Sequence, residues 1–150
     1  MRVKHLCAAF GGAALLFGTA FSTPAQAAGG GVELYHVWFD SPGKDTRTNA
    51  SLNAEWVQIK NTSKRAVNVK GWVLKDASNH KYVFKNITVG AGRTVKVHTG
   101  SGRDTAADTF QNRKAYVWNN DGDTATLTRA NGSKVDSCSW TKRTKDHKWC

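Results

Sequence analysis

The sequence predicts an all-β domain, a sandwich or barrel of about eight or nine short strands. Three observations predict it. Beyond residue 31, apolar residues never recur at helical spacing over two or more turns. They come in short β-branched and aromatic runs with period-two alternation. Clusters of Gly, Asn and Asp punctuate those runs as turns. The composition agrees: 39% hydrophobic against 22% charged residues supports a packed core, and 150 residues suit one domain. Two prolines exclude a collagenous or polyproline chain.

The first run is Val32 to Phe39, closed by Asp40-Ser41-Pro42-Gly43, and a long polar loop is expected to Asn53. In Glu55 to Asn61, Glu55, Val57 and Ile59 share one face, with Trp56 also assigned to the core. Val67 and Val69 alternate, and Gly71 precedes Trp72 to Asp76. Ala77-Ser78-Asn79 turns the chain into Lys81 to Phe84. Ile87 and Val89 lead to a Gly90-Ala91-Gly92 turn and a strand over Thr94 to His98. Thr99 to Arg113 is polar and too long for a hairpin, so it is expected to be irregular and exposed. Strand character resumes at Lys114 to Trp118. Turns at Asp121-Gly122 and Asn131-Gly132 then suggest a three-stranded meander ending near Trp140. The expected core is Trp56, Val57, Ile59, Trp72, Leu74, Phe84, Val95, Val97, Trp118 and Leu127. Strand lysines such as Lys60, Lys70 and Lys96 are expected to face solvent and guard edges.

Residues 1–27 read as a secretory leader. Arg2, Lys4 and His5 precede an uncharged run from Leu6 to Phe21, and Ala25-Gln26-Ala27 supplies the small residues a signal peptidase reads. That run is about 16 residues long, short of the roughly 20 that span a bilayer. The expected product is secreted or held at the cell surface, without a transmembrane segment. Residues 28–31 are a flexible Gly-rich start, 32–140 the domain and 141–150 a C-terminal tail. Cleavage removes two of the 22 basic residues and none of the 11 acidic ones, leaving a net charge of +9. A surplus of this size favours polyanionic partners and says nothing of fold. Cys138 and Cys150 remain. An even pair in an exported chain reads first as an intramolecular disulfide, with free thiols or an intermolecular bridge as alternatives.

An ordered set of motifs resembles the lamin tail domain family. Asn53 to Asn61 is similar to that family's first core strand, and Val69 to Asp76 to its Gly-Trp strand. Tyr82-Val83-Phe84, Gly92 and Val95 to Gly100 match the strands that follow, and Val117 to Leu127 resembles its final hairpin. The resemblance covers about residues 32–140. It implies an immunoglobulin-like sandwich and a non-catalytic module binding a protein, a surface or nucleic acid. It transfers no active-site residues and no cofactor.

Catalytic chemistry finds little footing in the residues themselves. The four histidines after the leader, His36, His80, His98 and His147, lie on separate runs without zinc spacing. There is no Gly-x-Ser-x-Gly elbow and no phosphate-binding Walker loop. Asn119, Asp121 and Asp123 have calcium-loop spacing, but Thr124 and Ala130 stand where an EF-hand needs Gly and Glu. A turn explains them better, and neither a metal nor a cofactor is expected. A small secreted hydrolase or nuclease is the alternative function, and His98 with Asp104 its only candidate pair. Glu55 on an apolar face needs hydrogen-bond partners if buried.

The C-terminus carries the clearest functional pattern. Lys142, Arg143, Lys145 and Lys148 interleave with Trp140 and Trp149. Cations suit phosphates and aromatic faces suit stacking, so this segment is the candidate anion-binding site. Its competing reading is a solvated tail whose tryptophans cover the sandwich edge. The expected partners are extracellular nucleic acid, an anionic cell-wall polymer or an acidic protein.

Overall fold

The structure is a computed structural model and describes residues 31–150. The leader and most of the Gly-rich start therefore lie outside the described residues. Eleven strands and one short helix follow in order: β1 (Val32–Trp38), α1 (Asn49–Asn53), β2 (Trp56–Asn61), β3 (Val67–Asn68), β4 (Val73–Lys75), β5 (Lys81–Val83), β6 (Thr88–Val89), β7 (Thr94–His98), β8 (Asp108–Phe110), β9 (Gly122–Thr128), β10 (Lys134–Thr141) and β11 (His147–Trp149). One sheet has the order β11-β1-β2-β7-β8, a second β10-β9-β4-β5, and β3 pairs with β6 alone. The two larger sheets enclose one core, an immunoglobulin-like β-sandwich.

Alternation builds that core. In β2 and β7 the inward residues Val57, Ile59, Val95 and Val97 are fully buried, while Gln58, Lys60, Lys96 and their neighbours face out. The facing sheet contributes Leu74, Tyr82, Ala125, Leu127, Cys138 and Trp140, and Val69, Phe84, Ile87 and Val89 close one end. Burying each large aliphatic or aromatic side chain stabilises the fold by roughly 1.5–3 kcal/mol. Val57, Ile59, Leu74, Phe84, Val95, Val97, Trp118 and Leu127 all stand in the core as expected. Trp56 does not. It is one residue out of phase with Val57 and Ile59, so the pleat turns it to the outer face. Trp72 only packs against the core margin, because Val69 takes the inward place before the Gly71 turn (φ +78°). The Arg129 guanidinium lies 5.5 Å over its ring.

Four local differences from the sequence reading have physical causes. The polar loop before Asn53 contains α1, whose N-cap Thr48 accepts from Ser51 N at 3.3 Å. Five residues are too few to show helical periodicity. The polar segment 99–113 holds β8, which runs parallel to β7 and closes the sheet edge. Gly102 lets the chain pass over Phe110, since a Cβ there would meet that ring at 2.5 Å. Lys114 to Trp118 is not a strand. Val117 N donates to the Glu55 carboxylate at 2.8 Å in place of a ladder partner. Consequently the meander reduces to the β9–β10 hairpin, turned at Asn131-Gly132 with Gly132 at φ +85°.

Glu55 ties these parts together. It is 1% exposed. Its Oε1 accepts from Thr99 Oγ1 at 2.6 Å and from Val117 N. No basic side chain is paired with it among the described residues. Burial is the dominant cause that pushes its carboxyl up to about 7, against the opposing pull of those hydrogen bonds.

Candidate functional site

The C-terminal ten residues are not a tail. Residues 147–149 form β11, antiparallel to β1, with His36 opposite Trp149 and Trp38 opposite His147. Phe39 N and Asp40 N both donate to the Asp146 carbonyl at 3.1 Å, and Cys150 N donates to the Tyr35 carbonyl at 3.0 Å. Cys138 and Cys150 are bonded, with Cα atoms 5.7 Å apart. The bridge joins β10 of one sheet to the residue after β11 in the other. Closing a loop of this length stabilises the fold by about 3 kcal/mol in the chain-entropy model.

Strand register carries two rows of side chains across the outer face of the five-stranded sheet. One row is His147, Trp38, Trp56, His98 and Phe110, one residue from each strand. The other is Trp149, His36, Gln58, Lys96 and Asp108. Between them runs Lys148, Val37, Val57, Val97 and Thr109, whose last four members are buried against the core. A register shift between Leu34 and His36 adds Tyr35 to the outer face. Rings in the rows stack across strands. Trp38 and His147 lie 4.9 Å apart, His98 and Phe110 5.0 Å, and His36 and Trp149 3.6 Å, all within 17° of parallel. Such pairs support the sheet by roughly 0.2–1 kcal/mol each.

Stability alone leaves Trp149 unexplained. It sits on the outermost strand, 56% exposed, with one face on His36 and its edge near Tyr35 at 5.3 Å. Lysines border it. Lys60 Nζ lies 4.5 Å from the Tyr35 ring centre and Lys96 Nζ 4.2 Å from that of Trp56. Lys142, Arg143 and Lys145 project from the exposed turn between β10 and β11. Lys148 falls on the opposite side of β11 from Trp149, and is also exposed. These six cations form no ion pair among the described residues.

Trp140 must be removed from the expected site. It is 4% exposed in the core, stacked on Phe39 at 4.8 Å, and its Nε1 donates to the Asn119 carbonyl at 2.8 Å. Parity explains this. Trp140 and Cys138 share the inward face of β10, and Ser139 and Thr141 the outward one. The residues the sequence reading missed are Tyr35, His36, Trp38, Trp56, Lys60, Lys96 and His147. Trp38 and Trp56 at non-core parity were the available signal; the pairing of Trp38 with His147 and of Trp56 with His98, 109 and 42 positions away, was not legible.

His36 and His147 meet directly, Nε2 to Nδ1 at 3.0 Å. One nitrogen donates and the other accepts, so the contact holds a single proton. Burial first, then the charges of His147 and Lys96, hold His36 below the usual histidine range.

The candidate hydrolytic pair is not assembled. His98 Nε2 bonds Asp108 at 2.8 Å and its Nδ1 bonds the Asn53 carbonyl at 2.7 Å, so both ring nitrogens are engaged. Asp104 bonds Lys85 Nζ at 2.7 Å and accepts from Thr109 Oγ1 and Phe110 N. Asp123 accepts from the backbone N–H groups of Ala77, Asn119 and Thr124, which makes it a turn-capping residue.

The family model described as Lamin Tail Domain matches residues 25–142. The match takes in every strand from β1 to β10 and stops before β11, so Trp149 and Cys150 lie beyond it. Members of this family are non-enzymatic immunoglobulin-like modules. A comparison with the curated proteins gave no match.

Proposed function

Because the chain belongs to the lamin tail domain family, we propose that it is an exported binding module that holds an extended polyanion, nucleic acid foremost, against β11 and the outer face of the five-stranded sheet. The observation that carries this reading is the exposed Trp149 ring, backed by His36, together with cations on the sheet face and in the adjoining turn that have no ion-pair partners among the described residues. Phosphates need mobile cations, and an unpaired base needs a ring to stack on. A single strand of nucleic acid meets both requirements. An anionic wall polymer or an acidic protein meets the first. The disulfide between Cys138 and Cys150 supports an oxidising compartment, in keeping with the leader.

Titration of the mature protein with a single-stranded oligonucleotide, an anionic wall polymer and polyglutamate, each at low and high salt, tests the proposal. The oligonucleotide should bind best, with affinity falling steeply as salt rises. Absence of binding to all three at low salt would refute it. Equal binding to polyglutamate would remove the stacking part.

A further inference from the structure

A second cationic site lies away from the aromatic rows, where the β4–β5 loop meets the segment leading from β8 to β9. His80, Arg113, Lys114 and Tyr116 line a cavity of about 320 Å³ there, with Ala115 and Val117 as its apolar wall. Two of its hydrogen-bonding groups are positioned in advance. His80 receives its orientation from Asp76, a buried carboxylate that accepts from His80 N at 2.7 Å and contacts Nδ1 at 2.6 Å. That leaves Nε2 as the ring nitrogen free of protein partners among the described residues. Arg113 donates through Nε to Gln111 Oε1 at 3.1 Å and through Nη2 to the Lys81 carbonyl at 3.0 Å. Both acceptors are neutral, and no carboxylate pairs with Arg113 among the described residues. Of the five N–H groups of a guanidinium, three remain to donate. Lys114 adds an exposed ammonium beside them. Tyr116 contributes only its ring, since its hydroxyl is engaged by Ser51 Oγ at 2.6 Å.

We propose that this cavity binds a phosphate monoester, with Arg113 donating in fork geometry to two phosphate oxygens, His80 in its doubly protonated form donating Nε2–H to a third, and Lys114 supplying the remaining charge. A guanidinium fixed by neutral acceptors keeps its full charge for a ligand, and its planar fork matches phosphate oxygens. The buried Asp76 serves as a positioning residue behind His80, so no acid competes at the mouth of the cavity from that side. Any substituent on the phosphate would rest on Tyr116, Ala115 and Val117. The same chemistry has two sources: a small phosphorylated molecule, or the phosphorylated end of a nucleic-acid chain.

The test is an NMR titration of the mature protein with inorganic phosphate, adenosine 5′-monophosphate and adenosine. The first two should move the His80 and Arg113 side-chain signals saturably, and adenosine should not. Arg113→Gln should weaken phosphate binding about tenfold or more, the scale of losing charged hydrogen bonds. Lys60→Gln with Lys96→Gln should leave it unchanged, which separates this site from the sheet face. Backbone spectra of each variant establish that it is folded. Comparing an oligonucleotide bearing a 5′-phosphate with its 5′-hydroxyl counterpart assigns the source. Tighter binding of the phosphorylated strand supports a chain end, and equal binding with retained phosphate response supports a small molecule. Shifts spread over the surface lysines without saturation at His80 and Arg113, or a folded Arg113→Gln variant with undiminished affinity, would overturn the proposal.

Discussion

Replacing Glu55 by Gln isolates a buried carboxyl that ionisation destabilises. The carboxyl ordinarily titrates near 4.5 and is pushed up to about 7 in the fold, chiefly by burial. The folded chain therefore holds its proton more tightly than the unfolded chain. Below pH 4.5 both states are protonated and the stability is fully present. As pH rises from about 4.5 to about 7, the unfolded chain ionises first and stability is lost. At 1.36 kcal/mol per unit, the loss is about 3 kcal/mol over that window. Gln keeps an acceptor for Thr99 Oγ1 and Val117 N, so the variant should lack this slope. The assay is urea unfolding of both proteins at pH 5 and pH 8. Their stability difference should grow in favour of the variant by about 2.5 kcal/mol between those values, since about 1 kcal/mol is already lost at pH 5. Taking the difference cancels the opposite contribution of His36, whose lowered folded value costs stability as pH falls through it. An unchanged difference between pH 5 and pH 8 would refute the reasoning.

Three other outcomes follow from the packing. Trp140→Ala should cost about 3–5 kcal/mol in urea unfolding, as a large aromatic removed from the core, while Trp149→Ala should cost under about 1 kcal/mol; equal costs would contradict the assignment of one to the core and the other to the surface. Replacing both Cys138 and Cys150 by Ser should remove about 3 kcal/mol and speed amide exchange in β11; unaltered exchange at residues 147–149 would show that strand pairing alone holds the segment. In an NMR titration, the His36 ring should titrate below the usual histidine range, and His147→Gln should raise its midpoint by removing a neighbouring charge; no movement would disprove the coupling.

Local alternation was the part of the fold that the sequence disclosed. Val57, Ile59, Val95 and Val97 follow from parity, and parity is a property of adjacent residues. Turns at Asn79, Gly92 and Gly132 were readable because each adopts positive φ. Trp56 stands one residue out of phase with Val57 and Ile59, and that parity turns it outward despite the core position expected of it. The site depended on register over long separations. His36 and His147 stand 111 residues apart and meet only because β11 closes the sheet edge beside β1. Nothing within Thr141 to Cys150 states which strand it will join. The basic and aromatic pattern and the cysteine pair mark the segment in the sequence, but nothing local separates Trp140 from Trp149. One points from β10 into the core and the other lies exposed on β11, a distinction that only tertiary pairing creates.

The most direct test of the central claim is the affinity for a single-stranded oligonucleotide, followed by fluorescence anisotropy across a salt series for the native protein and Trp149→Ala. The logarithm of affinity should fall linearly with the logarithm of salt for both proteins, because the cations are common to both. The variant should bind about five- to a hundredfold more weakly at every salt concentration, the loss of one stacked base of about 1–3 kcal/mol. Identical curves for the two proteins, or binding indifferent to salt, would contradict the account of β11 as the ligand-bearing edge.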